Sequence, residues 1–368
     1  MSNLAKISQP TDKSAQLSVD WYFDPHIFEI EKRILFDQGP GYVGHEVMVP
    51  AIGDYYALEW MNNAKVLIRN QHGIELLSNI CRHRQATMLK GRSNTKSIVC
   101  PVHRWTYALD GKLLGAPHFD QNPCLNLGNI PLQNWNGLLF SGKRNATNDL
   151  ANLGTLKDFD FTGHLLDNVQ ITHYPCNWKT FIEVYLEDYH VDPFHPGLGH
   201  FVDTEKLHWE FGDWYSAQTV AIDSAKLQKP GSPVYAKWHQ QVLQQTGGEM
   251  PPYGAIWLLY FPNIMLEWYP HTLVISTIIP TGTERCMNVV EFYYPEEIVL
   301  FERDFVEAEQ AAYRETARED DEICTLMTEG RRALYAQNLN EAGPYQMPME
   351  SGMEHFHQFL RREIEPHL

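Results

Sequence analysis

The sequence predicts an α+β protein in which an all-β domain is joined to a second domain of helices laid over an antiparallel sheet. Three observations carry that reading. From Tyr42 to Gly142, short strand-like segments alternate with turn signals, among them Asp110-Gly111 and Asn136-Gly137. Beyond about residue 150, strand-like runs at Ala255–Tyr260, Leu273–Ile279 and Met287–Tyr294 lie between a helical pattern at Trp178–His190 and a helix-rich segment from Pro295 onward. The chain has 368 residues, 43% of them hydrophobic, which is enough core for two domains.

Taken in order, residues 1–14 are polar and lack the apolar run of a signal peptide. A helix is expected over His26–Phe36, where Ile27, Phe28, Ile30, Ile34 and Leu35 form an imperfect apolar face. Alternation in Ala64–Arg69 marks a strand of the β domain. The segment Glu296–Asn338 is rich in Glu, Ala and Arg, has no proline, and carries only Gly330 as a candidate break. Three regions follow: 1–41 packing on the second domain, 42–145 as the β domain, and 146–368 as the second domain.

Composition narrows the function. A formal charge of −17 speaks against nucleic-acid binding, which needs clustered Lys and Arg. Six cysteines, four of them outside any motif, do not make a disulfide framework. The most apolar stretch, Ala255–Trp268, is interrupted by Pro262, Asn263 and Glu267, so no membrane span is expected and a cytoplasmic location is.

Two clusters of metal-ligand residues carry the chemistry. In the first, Cys81-Arg82-His83 and Cys100-Pro101-Val102-His103 are separated by sixteen residues. Zinc and iron-sulfur both suit such donors. A Cys2His2 zinc finger puts both cysteines on one loop, whereas here each loop offers one Cys and one His; that mixture favours a Rieske [2Fe-2S] centre, with two Cys on one iron and two His on the other. In the second cluster, Glu183, Glu187 and His190 fall at i, i+4 and i+7 and are expected on one helical face. Pro193 should end that helix near Asp192, letting His195 fold back toward His190. Two His and a carboxylate make the facial triad of non-haem Fe(II) oxygenases, with the third ligand supplied from elsewhere.

Together the motifs resemble the α subunits of the Rieske ring-hydroxylating oxygenases, and the likeness covers nearly the full chain, through Glu354-His355-Phe356-His357. Respiratory Rieske proteins carry two more cysteines in their cluster loops; Arg82–Met88 and Arg104–Leu109 have none, which points to the oxygenase branch. The resemblance implies a helix-grip second domain, one Rieske cluster held by Cys81, His83, Cys100 and His103, and one mononuclear iron held by His190, His195 and a late carboxylate within Glu319-Asp320-Asp321-Glu322-Ile323-Cys324. Asp320 is the chosen ligand and Asp321 the alternative; on a helix Ile323 and Cys324 share the face of Asp320, while Asp321 turns about 100° away. Glu187 would link His190 to the cluster ligand His103 of an adjacent subunit. Two departures stand out: many ring-attacking members have Asp where Glu187 stands, and many relatives have Asn where Val184 stands.

The implied activity is that of a terminal oxygenase using O2 and electrons from an NAD(P)H-dependent flavin or iron-sulfur reductase. That reductase must be a separate chain, since no GxGxxG stretch is present. A head-to-tail homotrimer is implied. Trp257, Tyr260 and Trp268 are candidates for a substrate wall that could stack on an aromatic ring or surround an ammonium. Aromatic hydroxylation or dihydroxylation comes first, with attack on a quaternary ammonium or N-methyl compound as the alternative. An electron carrier with no oxygen chemistry is the reading from another class.

Overall fold

The computed structural model describes residues 15–155 and 160–368, so the polar segment 1–14 lies outside the described residues. Two short helices come first, α1 (Asp20–Phe23) and α2 (Pro25–Glu31), the latter capped by the Asp24 side chain and continued by a π-helical turn over Lys32–Phe36. Eleven short strands follow: β1 (Tyr42–His45), β2 (Asp54–Ala57), β3 (Lys65–Asn70), β4 (Gly73–Ser78), β5 (Arg92–Asn94), β6 (Ile98–Val99), β7 (Thr106–Tyr107), β8 (Leu113–Gly115), β9 (Asn129–Ile130), β10 (Gln133–Trp135) and β11 (Leu138–Phe140). They form three small sheets, in the orders β5-β2-β3-β4-β9, β6-β7-β8 and β1-β11-β10.

After α3 (Ala146–Asp149) the chain builds a seven-stranded sheet from β12 (His164–Tyr174), β13 (Val202–Gly212), β14 (Tyr215–Ile222), β15 (Ala255–Tyr260), β16 (Ile264–Tyr269), β17 (Thr272–Gly282) and β18 (Arg285–Pro295). Its order is β12-β18-β17-β16-β15-β14-β13, and the pairs from β13 through β17 are antiparallel. Helices α4 (Trp178–Tyr185), α5 (Val191–Phe194), α6 (Ser224–Leu227), α7 (Pro233–Gln245), α8 (Glu296–Phe301), α9 (Arg303–Ala336) and α10 (Ser351–Ile364) complete the chain. Leu259, Met265 and Ile278 of the sheet share one buried cluster with Trp178 and Ile182 of α4, Cys324 of α9, and Phe356 and Phe359 of α10. The fold is therefore the predicted all-β domain with a helix-covered antiparallel sheet.

Contacts divide the described chain into two units, one of residues 15–36, 172–290 and 297–368, the other of residues 37–171 and 291–296. Residues 146–171 group with the small-strand unit. The reason is local: within that unit α3 packs on β10, and Phe161 meets the His45 ring edge-on at 5.2 Å.

Expectations about two helices change. The C-terminal helical segment breaks at Glu302, whose φ of −120° leaves the helical region, and then runs unbroken through Gly330 to Ala336. The helix expected over Trp178–His190 begins on time, capped by the Asn177 side chain, but stops at Tyr185. Two competitors end it there. The Asp188 N–H donates to the Met349 carbonyl, and the Glu187 carboxylate accepts from the N–H groups of Tyr189 and His190. Among the described residues no helix is long and apolar enough to cross a membrane.

Candidate active site

The two Cys/His loops are built alike. Cys81 O accepts from Gln85 N–H and Cys100 O from Arg104 N–H, each at 3.1 Å, and Gln85 and Arg104 both take a positive φ to close the loop. Both cysteines are buried; His83 is half-buried and His103 exposed. The loops bring the His83 and His103 Nδ1 atoms to 3.2 Å, and Trp105 stacks on His83 at 5.0 Å, fixing its plane. Burial raises the Cys81 thiol, but the His83 backbone N–H, the Tyr107 hydroxyl 3.5 Å from its sulfur, and Cys100 outweigh that, so the thiol sits below its ordinary value. Two buried sulfurs and two imidazoles facing through Nδ1 fit an iron-sulfur donor set.

The second cluster converges as closely. His190 Nε2 lies 3.0 Å from His195 Nε2, and Asp320 Oδ1 lies 3.0 Å from His195 Nε2 and 3.6 Å from His190 Nε2. All three ligand atoms fall within 4.8 Å of one another. Each imidazole is held at its other nitrogen: His190 Nδ1 by Glu187 Oε1, and His195 Nδ1 by Glu319 Oε2 at 2.8 Å. A carboxylate on Nδ1 leaves Nε2 aimed at the shared centre, as metal-bound histidines require. Burial lowers His190, but Asp320 and Glu187 outweigh it and raise the imidazole to about 10; His195 is raised by the same balance with Asp320 and Glu319. Three carboxylates, Glu187, Glu319 and Asp320, gathered on two imidazoles leave the site short of positive charge, which a dication supplies.

Placement of the individual residues departs from expectation in several ways. Glu183, Glu187 and His190 do not share a helical face, because α4 ends before Glu187. Glu183 lies in a separate buried network, accepting from Tyr22 Oη at 2.5 Å, Arg331 Nη2 at 2.7 Å and His357 Nε2 at 3.0 Å. Pro193 does not end the helix of Trp178 but sits inside α5, whose N-cap residue is His190. Asp320 meets the two histidines, whereas Asp321 faces the electrostatic reach of Cys176; Ile323 and Cys324 pack in the core below Asp320.

Of the proposed wall, Trp257 opposes Glu267 across β15 and β16, while Trp268 opposes Ile256 and Tyr260 opposes Ile264. Side chains alternate along a strand, so Tyr260 and Trp268 point to the sheet face opposite Trp257 and Glu267. The continuous aromatic wall is thereby reduced to Trp257. Sequence reading missed Glu319, Asp188 and Glu267. The first two adjoin chosen residues and carried that much signal. Burial pushes Asp188 up to about 7, with Glu187 adding to it against the bond from Gln218 Nε2. A cleft of about 550 Å³ opens beside Glu187 and His190, lined also by Tyr189, Asp192 and Met349.

Comparison with known proteins identifies the family. Residues 41–134 match the family described as Rieske [2Fe-2S] domain, and residues 163–365 the family described as ring hydroxylating alpha subunit (catalytic domain). A putrescine 2-hydroxylase of Ralstonia nicotianae is 59% identical over 99% of this chain and 100% of its own. A second protein of that name, from Bordetella bronchiseptica, is 50% identical over 98% of this chain and 87% of its own. A solved quaternary ammonium Rieske monooxygenase superposes with a TM-score of 0.74 at 19% identity, covering 96% and 97% of the two chains. The chain thus belongs to the ring-hydroxylating α-subunit family of Rieske oxygenases, with one [2Fe-2S] cluster and one mononuclear iron.

Proposed function

We propose that this protein is the terminal oxygenase that monohydroxylates a short aliphatic diamine of the putrescine type. The observation that carries the reading is the convergence of His190, His195 and Asp320 in a chain that aligns over 98–99% of its length with relatives named for that reaction. An aromatic substrate, placed first on sequence grounds, gives way to the nitrogen-containing class, and dihydroxylation to monooxygenation. In our reading residues 42–145 carry the cluster and 146–368 the catalytic site.

The balance is one C–H bond and O2, with two electrons and two protons, giving an alcohol and water. The mononuclear iron and the cluster, when bound, supply the oxygen activation and one electron each. The chain's own side chains hold them. Cys81 and Cys100 would ligate one cluster iron, His83 and His103 the other. His190 and His195 would bind through Nε2, oriented by Glu187 and Glu319, and Asp320 would close the triad. Glu187 stands at the cleft, with one oxygen on His190 Nδ1; there it would accept a second imidazole N–H, from His103 of the partner subunit, in a head-to-tail homotrimer fed by a separate reductase.

The test is substrate-dependent NADH consumption with a reconstituted reductase, across putrescine, carnitine- and betaine-like amines, and aromatic acids. Turnover of putrescine to a monohydroxylated diamine is expected. Coupled turnover of the aromatic acids alone would remove the reading.

A further inference from the structure

Glu267 is a buried carboxylate on the sheet face that lies beneath α9, the helix bearing Asp320. Tyr269 Oη donates to its Oε2 at 2.8 Å and Tyr313 Oη to its Oε1 at 3.1 Å, while Trp257 Nε1 donates to Tyr269 Oη at 3.0 Å. Tyr313 and Asp320 are seven residues apart on α9, two turns along one helical face. The neighbours of Glu267 are neutral phenols, and among the described residues no Lys, Arg or His pairs with it. Its counterparts in the same unit are built differently: Glu31 holds Lys179 at 2.6 Å and Glu183 holds Arg331 at 2.7 Å.

An anion buried with no cation is costly, and the cost registers in its titration. Burial, with Asp320 adding to it, pushes Glu267 up to about 7 against the two tyrosine bonds. The buried Tyr185 hydroxyl, within the field of Glu267, has no hydrogen-bond partner of its own. An incoming ammonium would supply the missing charge to Glu267, and its spare N–H could go to that hydroxyl.

We propose that the Glu267 carboxylate, held by Tyr269 and Tyr313, receives one ammonium of the substrate and so sets the preference for a diamine. The inference rests on the amine reading above and assigns the residue that enforces it. Glu267 is a specificity residue, placed apart from the iron ligands.

Calorimetric binding to the anaerobic holoenzyme tests it with two ligands of equal length, putrescine and butane-1,4-diol. Wild type should bind putrescine at least about 10-fold more tightly than the diol. Glu267→Gln should lose about 10- to 100-fold of putrescine affinity, the range for a hydrogen bond to a charged group, while diol affinity, iron and sulfide content stay near wild type. Glu267→Asp, which keeps the charge, should keep a preference for the diamine. Unchanged putrescine binding in Glu267→Gln, or equal weakening of both ligands in both variants, overturns the proposal. If Glu267→Gln does not fold, the wild-type preference decides, and equal affinity for diol and diamine overturns it. Wild type that binds neither putrescine nor any other amine of the panel removes the amine reading itself, and this inference with it.

Discussion

Glu187 and His190 are joined twice over three residues: Glu187 Oε1 holds His190 Nδ1, and its Oε2 accepts the His190 backbone N–H at 3.1 Å. One side chain thus helps to end the preceding helix, holds the imidazole at Nδ1 and leaves Nε2 facing His195 and Asp320. The same carboxylate borders the cleft, so structure and electron path would meet in one residue.

Replacing Glu187 by Gln should separate those roles. The amide can still accept N–H bonds, so iron and sulfide contents should match wild type, while steady-state turnover falls by at least about 100-fold. Electron transfer from the reduced cluster, followed by stopped-flow absorbance, is the measurement; wild-type rates would end the linking role.

Removing a triad side chain should empty one site and spare the other. Purified wild type should carry about three irons and two acid-labile sulfides per chain. His195→Ala and Asp320→Ala should fall to about two irons with the cluster absorbance intact and no hydroxylation. Asp321→Ala should keep all three irons, because Asp321 stands off the histidine pair. Loss of the mononuclear iron in Asp321→Ala and not in Asp320→Ala would reverse the assignment.

The Glu183 network should set acid stability. Burial raises the Glu183 carboxyl, but Arg331, His357 and Tyr22 outweigh it and hold it at about 2 against an ordinary 4.5. A carboxyl depressed on folding stabilises above its unfolded pKa, so about 3 kcal/mol is present above pH 4.5 and is lost as pH falls toward 2. Glu183→Gln leaves the Arg331 charge buried without its partner and should cost about 3–5 kcal/mol at pH 7. Thermal melts between pH 7 and 3 check both points: the variant should melt lower at pH 7 and respond less to acid.

Two glycines should respond oppositely to alanine. Gly137, at φ +85° in the β10–β11 turn, would place a Cβ 2.5 Å from the His45 ring, so Gly137→Ala should destabilise by about 1–3 kcal/mol. Gly330 lies inside α9 with open space around it, and Gly330→Ala should stabilise by about 0.5–1 kcal/mol. Comparison of melting temperatures with wild type is sufficient, and shifts of the same sign would contradict the account.

What depended on neighbours in sequence was readable in advance. The spacing of Cys81, His83, Cys100 and His103 needs only two tight loops, and the turns at Asp110-Gly111 and Asn136-Gly137 need only a glycine at positive φ, which both Gly111 and Gly137 adopt. The runs that became β15, β17 and β18 declared themselves by composition. Partners far along the chain decided the rest. Met349, about 160 residues away, takes the Asp188 N–H and, with the Glu187 carboxylate, stops α4 between Glu183 and Glu187. Helix phase on α9 brings Asp320, and not Asp321, to the two histidines and turns Glu319 toward His195. Strand register put Glu267 under Asp320 and sent Tyr260 and Trp268 to the other face. Periodicity reports which residues can share a face, but which face meets the metal or the core is set by packing between segments that only the folded chain brings together.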